Sequence, residues 1–128
     1  INDRGIPDQV YYGRFGVFFD DYNIVLPDIS VIQDKSKLSD RGCEGAPDWI
    51  IEIVMPGDPL HDYVTKLEKY SVAGVREYWI VDGTKQKVTV YCFEQDVYAE
   101  SHTFNEQVKS YLYKDLAVDF SIMDLRIQ

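Results

Sequence analysis

The chain has 128 residues and a formal net charge of −9 at pH 7, and 45% of its residues are hydrophobic. This apolar content and the ten tyrosines exclude a disordered or fibrous chain, and the length predicts a single domain over residues 1–128. The acidic balance argues against a broad surface for nucleic acid, because phosphate binding needs an excess of Lys and Arg.

The cysteines and the hydropathy pattern restrict the class of protein further. Cys43 and Cys92 lie far apart and belong to no CxxC pair, so we expect reduced thiols rather than a zinc site or a disulfide framework. No apolar run is long enough to span a membrane, and no basic-then-apolar leader is present. We therefore expect a soluble, cytoplasmic protein that makes no contact with membranes.

The first third of the chain predicts short β-strands around polar turns. Residues 15–19 and 24–32 are β-favouring runs separated by a polar turn, which predicts an antiparallel hairpin. Pro27 cannot donate a ladder hydrogen bond, so we expect regular pairing to resume at Asp28. Residues 33–47 are polar and rich in glycine, which predicts the longest loop of the chain.

Residues 48–82 carry the clearest pattern of secondary structure. An apolar run from Trp49 to Met55 predicts a strand, and the amphipathic stretch from Leu60 to Ala73 predicts a helix that Gly74 ends. The run from Glu77 to Asp82 predicts a second strand. Strand, helix and strand in this order are typical of a βαβ crossover with a parallel pair of strands.

The last third of the chain predicts further strands. Residues 87–93 and 97–103 predict a β-hairpin, residues 105–116 a short helix or loop, residues 118–122 an extended piece, and residues 123–127 a final short helix or strand. The predicted fold class is therefore α/β, with a mixed β-sheet, a central βαβ crossover and a C-terminal β-hairpin.

Two acids in apolar strands form the candidate site. Asp28 follows a proline, and Glu52 lies in the middle of its predicted strand. A buried carboxylate is costly unless it is paired or holds a metal, so we predict that both bind Mg²⁺ or Mn²⁺, with the Ile53 carbonyl as a third ligand. Lys66, on the following helix, would place an ammonium group beside them. Asp28, Glu52 and Lys66 then suit metal-dependent hydrolysis of a phosphodiester.

Four stretches of the chain form one ordered pattern. They are Pro27–Ile32 (PDISVI), Gly45–Val54 (GAPDWIIEIV), Asp62–Leu67 (DYVTKL) and Tyr70–Asp82 (YSVAGVREYWIVD). In this order they resemble the Uma-two family of endonucleases, which have the restriction-endonuclease-like PD-(D/E)xK fold. The resemblance implies a restriction-endonuclease-like domain that cleaves DNA with the help of a divalent metal.

Two features depart from the family pattern. The usual nuclease motif has a lysine two residues after the second acid, but this chain has Val54 at that position. In the family that the chain resembles, the following helix supplies the lysine instead, at the position of Lys66. The family also begins with a segment of some tens of residues that includes a helix packed on the sheet. We expect that segment to lie outside these 128 residues or to be missing from a truncated domain.

Each candidate residue also has a purely structural interpretation. Asp28 would then be a turn acid after proline, and Glu52 an acid on an edge strand that faces water. Lys66 follows Asp62 by four residues, a spacing typical of exposed helical pairs that contribute about 0.2–0.5 kcal/mol. Tyr70, one turn beyond, has the spacing of a core residue, and orientation of the site is the alternative role for it.

The net charge leaves the function open between two classes. Two features would offset the repulsion between DNA and a chain with a net charge of −9. One is a local basic rim formed by Arg41, Lys66, Lys69 and Arg76, and the other is assembly into a homo-oligomer, for which we expect a dimer. The acidic surface and the many tyrosines equally fit a non-catalytic module for protein interaction or assembly. Hydrolysis of another phosphate ester fits the same three residues.

Overall fold

The computed structural model describes residues 9–12, 15–20, 22–58 and 60–120. Within them the chain forms one α-helix, α1 (Leu60–Ala73), and twelve strands. The element expected over residues 123–127 lies outside the described residues. The strands are β1 (Gln9–Tyr12), β2 (Val17–Phe18), β3 (Ile24–Val25), β4 (Ile29–Ile32), β5 (Leu38–Ser39), β6 (Gly42–Glu44), β7 (Trp49–Val54), β8 (Glu77–Asp82), β9 (Lys87–Cys92), β10 (Val97–Thr103), β11 (Gln107–Lys109) and β12 (Ala117–Asp119).

The main sheet has the strand order β1-β4-β7-β8-β9-β10 in the described part of the chain. β7 and β8 pair in parallel, and the other neighbouring strands pair antiparallel. The helix α1 connects the two parallel strands, so the predicted βαβ crossover is confirmed. The predicted hairpin follows it as β9 and β10. No helix among the described residues is long and apolar enough to cross a membrane.

The helix α1 has the bounds that the sequence pattern predicts. Gly74 follows it with a φ of +104°, a left-handed conformation that favours glycine. The Gly74 N–H donates to the carbonyl oxygens of Tyr70 and Ser71, and the Val75 N–H donates to that of Tyr70 at 3.0 Å. These bonds satisfy carbonyl groups that a helix otherwise leaves unpaired, so the end of α1 is fixed.

The side chains of the main sheet pack into a separate apolar cluster on each face. On the face that α1 covers, the buried members are Ala46, Ile50, Val54, Tyr63, Tyr70, Val75, Tyr78, Ile80 and Tyr91. On the opposite face they are Val31, Trp49, Trp79, Val81, Val88, Val90, Phe104, Val108, Tyr113 and Phe120. Because side chains alternate along a strand, Glu52 shares the helix face with Ile50 and Val54.

The prediction of one strand over residues 24–32 is wrong, because the chain changes sheets at Pro27. β3 pairs antiparallel with β2, as the predicted hairpin requires, but it belongs to a small sheet. β4 pairs with β1 and β7 in the main sheet. Pro27 is buried and lacks an N–H group, so it interrupts the ladder at the crossing between sheets.

The predictions for two polar stretches are also wrong. Residues 33–47 contain a short 3₁₀ helix and the strands β5 and β6, which complete the small sheet in the order β3-β2-β6-β5. A β-carbon at Gly42 would lie 2.1 Å from the carbonyl oxygen of Gly16, so this pairing requires glycine. Residues 105–116, expected as a helix or loop, contain β11, which pairs with β12.

Candidate active site

Glu52 lies in the middle of β7, between β4 and β8, with only 4% of its surface exposed. The interpretation of an edge-strand acid facing water is therefore wrong. Its Oε1 accepts a hydrogen bond of 2.7 Å from the Tyr70 hydroxyl and one of 3.3 Å from Lys66 Nζ. Both donors come from α1, so the helix supplies the partners of an acid that the sheet buries.

The charge state of Glu52 is set by opposing effects. Burial raises the pKa of the Glu52 carboxyl, whereas the Tyr70 hydrogen bond and the Lys66 charge act to lower it. The negative charge of Asp28 raises it further, which means that the two carboxylates are close enough to interact. Burial and the neighbouring Glu52 also raise the pKa of Tyr70, so this hydroxyl keeps its proton and remains a donor.

Asp28 lies immediately before β4, where the chain enters the main sheet. Its Oδ2 accepts a hydrogen bond of 2.7 Å from the backbone N–H of Ile53, the residue that follows Glu52. The carboxylate is therefore fixed against the neighbouring strand β7 and is more than a turn acid. The structure thus brings the two predicted acids to adjacent points of the sheet.

Lys66 projects from α1 towards the sheet. Its Nζ forms the ion pair with Glu52 and lies 5.3 Å from the centroid of the Tyr63 ring, and 37% of the side chain is exposed. The alternative pairing with Asp62 rests on a side chain outside those that the structure describes. Lys66 is therefore placed beside the acids, while its catalytic role stays a prediction.

The third predicted ligand, the Ile53 carbonyl, lies among further polar groups. The Tyr63 hydroxyl donates to this carbonyl at 3.4 Å and to Oδ2 of Asp58 at 2.7 Å. The Met55 N–H also donates to the Asp58 carboxylate, at 2.9 Å. The loop after β7 is thereby held next to the strand end that carries Ile53.

The donor set fits a hard divalent cation held by few protein ligands. Within the described residues, no group of three or more His, Cys, Asp or Glu side chains is placed to hold a metal. Oδ1 of Asp28 and Oε2 of Glu52, however, take part in none of the hydrogen bonds that these acids make there. Mg²⁺ keeps several waters and needs only one or two carboxylates, so these two oxygens, with the Ile53 carbonyl, form a suitable set.

Sequence reasoning missed a second buried acid, Glu77, which is fully buried at the start of β8. Its two oxygens accept hydrogen bonds from Trp79 Nε1, Ser110 Oγ and the backbone N–H groups of Tyr111 and Leu112. Every oxygen of Glu77 is thus used to hold the chain after β11 against the sheet, which is a structural role. The available signal was an acid that opens an otherwise apolar strand.

In the predicted basic rim, Arg41, Lys66 and Arg76 are paired with acids, whereas Lys69 is exposed on α1. Arg76 forms a bidentate ion pair with Glu94 and also donates a hydrogen bond to Asp48. Arg41 is paired with Glu44. Lys66 is paired with Glu52, as described above. The chain therefore presents no broad positive surface around the candidate site within the described residues.

Comparison with known proteins identifies the family of the chain. The sequence model of the Uma2 family, described as "Putative restriction endonuclease", matches residues 2–126. The chain belongs to the Uma2 family. This is the family that the sequence pattern resembles, so that prediction is confirmed. Among curated proteins, none matches the chain.

A solved structure shows the same fold as this Uma2 chain. It is the crystal structure of a protein from Anabaena variabilis, described as "a putative nuclease belonging to DUF820", with a TM-score of 0.67 and 24% sequence identity. The match covers 88% of the Uma2 chain and 65% of that protein, so the chain spans somewhat less than two thirds of its relative's length. The likeness confirms the predicted restriction-endonuclease-like fold class.

Proposed function

We propose that this Uma2 chain is a metal-dependent endonuclease that hydrolyses phosphodiester bonds of DNA. The observation that carries the proposal is the pairing of buried Glu52 with Lys66 beside the carboxylate of Asp28. A buried acid with one uncommitted oxygen, next to a second acid and a lysine, is what phosphoryl chemistry with a divalent cation requires. Family membership supports the same class of reaction.

The proposed mechanism assigns a separate task to each residue. Asp28, Glu52 and the Ile53 carbonyl would hold Mg²⁺ or Mn²⁺. When bound, such an ion lowers the pKa of a coordinated water and offsets negative charge on the phosphate. Lys66 stabilises the charge that develops on the phosphoryl oxygens in the transition state. Its half-exposed side chain gives the ammonium access to a substrate in solvent, while Glu52 stays buried.

The test is cleavage of supercoiled plasmid and of single-stranded DNA with Mn²⁺ or Mg²⁺. Glu52→Gln, Asp28→Asn and Lys66→Met should each lower the rate by roughly 100-fold or more, because each removes an electrostatic contribution in the transition state. Lys114→Met is the control, since Lys114 is an exposed lysine outside both the candidate site and the predicted basic rim, and it should cleave at nearly the wild-type rate. An active wild type with an equally active Glu52→Gln variant would refute the site.

A non-catalytic module for interaction or assembly is the competing function, and the net charge of −9 is what favours it. Calorimetry with Mn²⁺ separates the two, since the endonuclease must bind the ion and the module need not. Absence of binding at millimolar Mn²⁺ would favour the module. The cytoplasmic location and the homodimer stay predictions, and light scattering after size-exclusion chromatography tests the latter.

A further inference from the structure

We propose that Tyr70 is a positioning residue of the candidate site. Its hydroxyl commits one oxygen of Glu52 to the protein and thereby presents the other oxygen to a divalent cation. This inference rests on the proposed function and extends it to a residue outside the set of acids and lysine. Its support comes from the contacts and packing of Tyr70 and from the spacing of α1.

The hydrogen bonds of Glu52 divide its two oxygens. Tyr70 donates to Oε1 at 2.7 Å, and Lys66 reaches the same atom at 3.3 Å. No described group donates to Oε2. A carboxylate held through one oxygen has the other as a defined ligand position rather than one of two interchangeable ones.

The Tyr70 ring is held in place on several sides. The residue has 0% exposure, and its ring contacts that of Tyr78 edge-on at 4.9 Å between centroids and that of Phe19 at 6.0 Å. Its carbonyl oxygen accepts the two hydrogen bonds that end α1, from Gly74 and Val75. The hydroxyl therefore cannot follow Glu52 if that side chain turns, and it restricts the carboxylate to one orientation.

Tyr70 and Lys66 contribute differently although they share a helix face. They are four residues apart on α1, a spacing that places both side chains over Glu52. Lys66 is more than a third exposed and makes the longer contact, whereas Tyr70 is buried and makes the shorter one. When the ammonium group of Lys66 turns towards a phosphate, the Tyr70 hydroxyl still holds Glu52.

Buried tyrosines on the same face provide the comparison that distinguishes positioning from packing. Tyr78 lies on β8, and its hydroxyl donates to the backbone oxygen of Tyr63 at 3.4 Å rather than to Glu52. Tyr91 lies on β9 and stacks on Tyr78, with ring centroids 6.0 Å apart. If the removal of any buried hydroxyl weakened Mn²⁺ binding, the Tyr91→Phe variant would show the same loss of affinity as Tyr70→Phe.

The experiment compares Mn²⁺ affinity by calorimetry in the wild type, Tyr70→Phe and Tyr91→Phe. Loss of a group that orients a metal ligand costs about 10- to 100-fold in affinity. Tyr70→Phe should therefore bind Mn²⁺ at least 10-fold more weakly, and the Mn²⁺ concentration that gives half-maximal DNA cleavage should rise by a similar factor. Tyr91→Phe should match the wild type in both measurements. Equal Mn²⁺ affinity in Tyr70→Phe and the wild type would overturn the inference and leave the proposed function intact.

A second variant tests the inference without altering the core. In Lys66→Met, Tyr70 still holds Glu52, so Mn²⁺ affinity should be unchanged or higher, because a positive charge beside the cation is removed. If Lys66→Met instead loses Mn²⁺ binding, then Lys66 orients Glu52 and the role of Tyr70 is refuted. If the wild type binds no Mn²⁺, both the proposed function and the role of Tyr70 are overturned. The other two contradicting outcomes concern Tyr70 alone.

Discussion

Two buried glutamates in neighbouring parallel strands have opposite consequences for the molecule. Among the described residues, Glu77 accepts four hydrogen bonds spread over both oxygens, whereas the two that Glu52 accepts end on one oxygen. Burial raises the pKa of both carboxyls, and the donors around each act against that rise. A fully satisfied carboxylate stabilises a fold, and a partly satisfied one retains capacity for a ligand.

Glu77→Ala should lower the free energy of unfolding by about 3 kcal/mol, because it leaves several buried donors without an acceptor. Two of these donors are the backbone N–H groups of Tyr111 and Leu112, which no rotamer change can satisfy. Urea denaturation measures the change. Glu68→Ala, an exposed position on α1, is the control and should change the value by no more than about 0.5 kcal/mol. A loss at Glu77 no larger than that of the control would contradict the assigned role.

At the scale of elements, His102 joins β10 to the turn that follows it. The ring nitrogens of His102 lie 2.6 Å from Oε1 of Glu100 and 2.6 Å from Oε1 of Glu106. Glu100 also accepts a hydrogen bond from the Tyr111 hydroxyl. Because both ring nitrogens face carboxylates, this arrangement favours the protonated imidazole, in which both nitrogens donate.

This arrangement predicts a pH-dependent contribution to stability. Burial lowers the pKa of His102, but the hydrogen bonds that the ring donates to Glu100 and Glu106 outweigh it and leave the pKa raised. A pKa raised in the folded state gives a contribution that is complete below the unfolded value of about 6.5 and is lost as the pH rises through the folded value. The contribution is about 1 kcal/mol or less, because both carboxylates are partly exposed to solvent.

The measurement is the unfolding free energy of the wild type and of His102→Gln from pH 5.5 to pH 9. The difference between them should be largest at the acidic end and should shrink as the pH rises. Other titrating groups, including His61, are common to both proteins and cancel in the difference. A difference that is constant over this range, or that grows with pH, would show that the imidazolium does not make this contribution.

The sequence predicted the elements whose pattern is local and missed those that depend on distant partners. The bounds of α1 and β8 follow from apolar periodicity and the glycine stop. Of the small sheet, the β2–β3 hairpin was predicted but β5 and β6 were missed, because a strand of two or three residues carries no sign of a distant partner such as β2. For the site, the resemblance predicted that Glu52 and Lys66 approach each other. The Tyr70 contact depends on the rotation of α1 against the sheet, which spacing alone does not fix.

At the scale of the whole molecule, the charge of −9 determines how DNA can be bound. Because Arg41 and Arg76 are paired with Glu44 and Glu94, the described surface offers little attraction for phosphates. We expect no DNA binding at micromolar protein in EDTA and measurable binding in Ca²⁺, which occupies oxygen sites.

Fluorescence anisotropy of a labelled duplex measures this dependence at a fixed salt concentration. Glu52→Gln is the control, since Ca²⁺ should no longer promote its binding to the duplex. Tight binding of the wild type in EDTA would contradict this expectation and show that the protein attracts DNA without a bridging cation.

The separation of the lysine from the acids has a consequence for partial unfolding. Lys66 and Tyr70 belong to α1, while Glu52 belongs to β7 and Asp28 immediately precedes β4. The groups of the proposed site therefore lie on two elements whose relative placement depends on the tyrosine-rich packing between them. If α1 detaches from the sheet, the proposed site is dismantled while the strand ladder remains intact. We therefore expect the proposed DNA cleavage to be lost on heating before the β-sheet signal in circular dichroism.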